Sequence, residues 1–189
     1  MVVFRNDLAT GSLDALRWLA APGPRRSARV TLGGPYPEDA DTMAAHLHGT
    51  QSYLAGLGIE LNGVGTFRSK DRRTVFLQPH SDQLVSQADS PDRDYSPHLT
   101  IYSGRDRVIA ASLAAALADL RPLRLRVSGV ERVVVGRVDS PLDHSVLENP
   151  PILDWLRSAG LAPSELVPAN RDLRLQAVHT IVTGLNASR

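Results

Sequence analysis

Cysteine is absent from the 189 residues, which excludes disulfides, thiolate metal sites and a cysteine nucleophile. Aromatic residues are sparse at 5%. No apolar run approaches the roughly 20 residues that a membrane-spanning helix needs. An excess of one charge sign is also missing. The 21 Lys and Arg against 20 Asp and Glu leave a formal net charge of +1, too little for the basic footprint of a general nucleic-acid binder. The first residues, Met1-Val2-Val3-Phe4-Arg5-Asn6-Asp7, lack the basic start and long apolar core of a signal peptide. A cytoplasmic protein that does not enter membranes is the expectation. What is present is ordinary for a globular chain, 42% hydrophobic and 22% charged. The length suits one domain, or two lobes sharing a buried interior. Arginine far outnumbers lysine, and alanine and leucine abound, the flavour of a GC-rich bacterial genome.

The most informative stretch is Ser96-Pro97-His98-Leu99-Thr100-Ile101-Tyr102. Side chains alternate along a strand, so His98, Thr100 and Tyr102 are expected on one face and Leu99 and Ile101 on the other. Pro97 suits a first strand position, where no ladder donor is lost. Upstream, Arg29-Val30-Thr31-Leu32-Gly33-Gly34-Pro35-Tyr36 has the same texture, with Arg29 and Thr31 opposite Val30 and Leu32. The two stretches differ in the residue two places before the threonine, histidine in one and arginine in the other.

Around these stretches the chain repeats a plan. Val2 to Phe4 read as a short edge strand, and Ser12 reads as the N-cap of a helix carrying Leu13, Leu16, Trp18 and Leu19. The Arg29 strand is followed by a helix opened at residues 37–39 and ended by Gly58, then by strands at 59–67 and 74–77. After a polar loop the order returns: the His98 strand, a helix started by Asp106 and stopped by Pro122, and strands at 123–130 and 133–138. Residues 29–79 and 98–141 thus read as a weak duplication. The expected fold is α+β: two pseudo-symmetric lobes, each an antiparallel sheet with outer helices, around a cleft where the two motif strands meet. This domain spans 1–141. Residues 142–189 read as a mostly helical C-terminal extension packed on it, although alternation at Leu173, Leu175 and Ala177 leaves a strand open there.

A His-x-Thr strand repeated in two lobes resembles the two-histidine phosphoesterase superfamily, which includes the 2′-5′ RNA ligase-like and cyclic phosphodiesterase proteins. The likeness covers roughly residues 2–138 and extends to Gly63-Val64-Gly65-Thr66-Phe67 and Val75-Phe76-Leu77. The second motif is intact. The first resembles His-x-Thr-Leu-x-Gly-Pro-aromatic with Arg29 in place of its histidine. The resemblance implies chemistry on a nucleotide or RNA terminal phosphate, with no metal and no other cofactor. One imidazole, of ordinary pKa roughly 6.5, activates water and a second protonates the leaving oxygen, while threonine hydroxyls hold the phosphoryl oxygens. Carried over, His98, Thr100 and Thr31 are the expected catalytic residues, and Arg29, Tyr102 and Tyr36 the expected substrate contacts.

Arginine breaks the symmetry. A guanidinium keeps its protons at any relevant pH and cannot act as a base, but it grips phosphate bidentately. Losing one positioned acid or base costs on the order of 10²–10⁴ in rate. Three readings follow: an enzyme working through His98, a silent nucleotide- or RNA-binding module, and an accessory protein of a specialised bacterial pathway using the cleft for another ligand. Among other histidines, His80 is the candidate substitute base. His48-Gly49-Thr50 also spells the motif but falls in a helical pattern.

Overall fold

Strict alternation makes Leu123–Val130 a strand: Leu123, Leu125 and Val127 are buried while Arg124, Arg126 and Ser128 face solvent. The computed structural model describes residues 1–22, 26–32, 40–86, 96–131, 141–167 and 170–188, and of residues 40–46 the backbone alone. The strands are β1 (Val2–Phe4), β2 (Arg29–Val30), β3 (Gly58–Ser69), β4 (Arg72–His80), β5 (Leu99–Gly104) and β6 (Leu123–Val130). They form one antiparallel sheet in the order β2-β1-β6-β3-β4-β5. Its helices are α1 (Leu8–Ala20), α2 (Ala40–Leu54), α3 (Asp82–Ser86), α4 (Arg107–Ala118), α5 (Pro150–Ser158), α6 (Pro163–Leu166) and α7 (Arg171–Ala187). The protein is therefore α+β with antiparallel pairing. The strands expected in two separate lobes share this sheet, because β6 pairs with both β1 and β3.

The sheet does not stay open. β2 and β5 stand at opposite ends of the strand order, yet Thr31, one residue past β2, bridges antiparallel to His98, one residue before β5. The sheet curls until its two ends touch at the motif residues. Leu99 and Ile101 from β5, Val30 from β2 and Leu13 and Leu16 from α1 are fully buried in one core. Burying side chains of this size stabilises the fold by about 1.5–3 kcal/mol each, so the motif strands are held by their apolar backs.

Several local expectations change. The N-cap of α1 is Asp7, whose carboxylate accepts the Thr10 N–H at 2.9 Å. Ser12 instead lies inside the helix, buried, with no partner for its hydroxyl. Asp106 does cap α4, accepting from the Val108 and Ile109 amides. The 173–177 alternation belongs to a helix, because Val178, Ile181, Val182 and Leu185 recur at i, i+3, i+4 and i+7 and are buried. That helix, α7, packs on α1, α4 and α5. Asn186 locks its end, accepting from the Arg121 amide and donating to the Asp119 carbonyl, both at 2.9 Å. The strand expected at 133–138 lies outside the described residues. Among the described residues no helix is long and apolar enough to cross a membrane.

Candidate functional site

Residues directly opposite in an antiparallel pair project to the same side of the sheet. Thr31 and His98 are such a pair, and alternation adds Arg29 and Thr100 to their face. Across β5, Thr100 pairs with Phe76, and Phe76 with Gly65, so both join this face, with Phe67 two residues on. The buried residues Val30, Leu99, Ile101 and Leu77 take the other face. Four residues from two distant stretches, Arg29, Thr31, His98 and Thr100, therefore converge on one surface of the curled sheet. Thr31, His98 and Thr100 are each half-buried.

The imidazole of His98 is fixed from two directions. Its Nδ1 lies 2.9 Å from the Ser96 carbonyl oxygen. A carbonyl only accepts, so Nδ1 carries a proton and the neutral ring keeps its lone pair on Nε2. Two aromatic rings pack against it, Phe76 with centroids 5.1 Å apart and Phe67 edge-on at 5.7 Å. Phe67 is 44% exposed. Neither ring is expected at the site from sequence alone; the two are diagonal neighbours on the β3–β4 hairpin, with Gly65 directly opposite Phe76. Gly65 makes the packing possible, because a Cβ there would fall 2.2 Å from Cζ of Phe76.

Arg29 is engaged within the protein. Its guanidinium donates to the Ser27 carbonyl and to the Ser27 hydroxyl, both at 3.1 Å, and pairs with the Glu131 carboxylate at 3.3 Å. The side chain is 14% exposed. Burial lowers its pKa, the Glu131 charge opposes that shift, and Arg26 adds to it; an arginine so placed still stays charged.

Tyr102 departs from simple alternation. The register shifts between Val75 and Phe76, so that Phe76 pairs with Thr100 and Val75 with Tyr102, leaving Ile101 as an extra residue. Such a bulge reverses the facing of the residues beyond it. Tyr102 therefore shares the face of Val75, opposite to His98, and is 3% exposed. Its hydroxyl accepts the Asp106 N–H at 3.1 Å and lies 3.3 Å from the Asp106 carbonyl, so it closes the turn into α4. Tyr36 lies outside the described residues. His80 projects at the end of β4, its Nε2 3.0 Å from the Asn62 carbonyl, four residues beyond Phe76. His48 sits exposed on α2.

Beneath the site, α1 sends two charged side chains toward the motif strands. Asp14 accepts the Ala28 N–H at 2.5 Å, and burial pushes its carboxyl up to about 6, against the pull of that bond and of Arg17 and Arg29. Arg17, buried, donates to the carbonyls of Thr100 and Arg26. A hollow of about 530 Å³ lies on this helix side, lined by Asn6, Thr10, Asp14, Ser27 and Glu148 among others. Among the described residues its lining holds no cation.

A curled antiparallel sheet with outer helices, its ends meeting at two threonine-bearing segments of which one carries a histidine, makes this an α+β protein. Residues 7–139, more than half of the chain, match the 2′-5′ RNA ligase superfamily, and the chain belongs to that superfamily of two-histidine phosphoesterases. No curated protein and no solved structure matches it. The family establishes a phosphoesterase- or ligase-like function. The C-terminal helices α5, α6 and α7 lie beyond the matched residues.

Proposed function

We propose that the protein acts on a nucleotide or RNA end bearing a 2′,3′-cyclic phosphate, with His98 as its acid–base group. The pairing of Thr31 with His98 carries this reading, since it sets a hydroxyl and an imidazole side by side at the meeting of two motif strands. In the reaction, Nε2 of His98 takes a proton from water as the water oxygen bonds to phosphorus. The bond from phosphorus to one ribose oxygen breaks, and that oxygen receives a proton from solvent or from the imidazolium. Thr31 and Thr100 donate hydrogen bonds to the phosphoryl oxygens. Arg29 supplies positive charge on their face, and Phe67 offers an exposed ring on which a base stacks. Tyr36 joins as a substrate contact from its place in the first motif.

A second reading, binding with little turnover, is favoured by one observation: the position of the first histidine holds an arginine already paired with Glu131. The two readings part in one experiment. Purified protein is incubated with a 2′,3′-cyclic nucleotide and a 2′-5′-linked dinucleotide, beside His98→Ala. Turnover in the parent that falls by 10²–10⁴ in the variant supports the enzyme. Binding without turnover supports the module, and absence of binding overturns both. An Arg29→His variant restores the second proton-transfer group and is expected to raise the rate by a similar factor.

A further inference from the structure

Among the described residues, the two motif segments are joined by the antiparallel bridge between Thr31 and His98. The chain segments beside this bridge are also tied to one helix. Arg17, 9% exposed, reaches from α1 with one guanidinium nitrogen on the Thr100 carbonyl, within β5, and another 3.2 Å from the Arg26 carbonyl, on the approach to β2. One turn earlier, Asp14 holds the amide of Ala28, the residue before β2. Three backbone groups, from both motif segments, thus hang on two side chains that share a face of α1.

We propose that Arg17 and Asp14 are positioning residues: together they form a clasp that sets the Thr31–His98 bridge and so the shape of the anion site. The planar fork of a guanidinium suits this task, because it presents fixed donors toward two separate carbonyls at once. A lysine, as a point charge, serves one carbonyl well and the other poorly. Both bind backbone groups of the segments that carry the motif residues. The clasp rests on the functional reading only for its effect on ligand affinity. The bridge geometry is an independent consequence.

The test uses the full chain and three variants: Arg17→Met, Arg17→Lys and, as a control, Leu185→Ala, which removes a buried side chain of α7. The cross-strand nuclear Overhauser contact between Thr31 and His98 reports the bridge, and calorimetry with a 2′,3′-cyclic nucleotide and with inorganic phosphate reports the site. Arg17→Met is expected to keep the β3–β4 contacts, lose the Thr31–His98 contact and bind at least tenfold more weakly. Arg17→Lys should fall between it and the parent. Leu185→Ala should lower the melting temperature and leave the bridge intact. A bridge that survives in folded Arg17→Met overturns the clasp, as does a bridge lost equally in Leu185→Ala. Should Arg17→Met not fold, Arg17→Lys decides: an unchanged bridge and unchanged affinity overturn the proposal. Failure of the parent to bind either ligand sinks the functional reading, while the bridge measurements still judge the clasp.

Discussion

Asp14 shows how burial and partners compete at one residue. Desolvation is the largest influence and raises its carboxyl to about 6, although the Ala28 amide and two arginines pull the other way. The folded state therefore holds a proton between about pH 4 and 6 that the unfolded chain has released. Stability falls as pH rises through that window and levels off above it, by roughly 3 kcal/mol in all. Urea unfolding at a series of pH values checks this. Asp14→Asn keeps the acceptor for Ala28 and is expected to flatten the slope and raise stability near neutrality. Ser12 offers a second case. As an N-cap its replacement by alanine would cost about 1 kcal/mol; buried mid-helix with an unpartnered hydroxyl, Ser12→Ala is expected to be neutral or mildly stabilising. Equilibrium unfolding separates the two outcomes.

Among the elements, the β3–β4 hairpin governs the surroundings of His98. Phe76 lies over Gly65, and no side chain fits between ring and strand. Gly65→Ala forces the ring to move and is expected to cost about 1–3 kcal/mol by overpacking, with a shift in the His98 ring signals. Phe76→Leu added to Gly65→Ala should recover part of the stability, and thermal unfolding of the single and double variants beside the parent tests this. The motif strands themselves were legible: the apolar backs of Val30, Leu99 and Ile101 and the polar fronts of Thr31, His98 and Thr100 follow from a period of two. Tyr102 was not, because a bulge at Ile101 depends on how β4 pairs with β5 and leaves no mark on the alternation. The N-cap of α1 was misplaced for a related reason, since Asp7 and Ser12 are both good caps and it is the burial of Thr10 and Ser12 against the core that goes with the longer helix.

Across the whole molecule, the C-terminal helices complete the core. Val178, Ile181, Val182 and Leu185 of α7 cover the outer faces of α1 and α4, and α1 in turn carries Asp14 and Arg17. Removing residues 142–189 exposes that apolar surface, so the shortened chain is expected to bind a hydrophobic dye and aggregate on heating. Ile181→Ala, fully buried in the parent, should cost about 2–5 kcal/mol. The chain by itself determined the class of the protein, because spacing and residue type suffice to fix two threonine strands, one histidine and one arginine. Which of these share a surface was decided only when the sheet curled, since register and closure depend on contacts between residues far apart in sequence. The same long-range contacts decided that Phe67 and Phe76 flank the imidazole, that Glu131 holds Arg29, and that α1 reaches both motif segments.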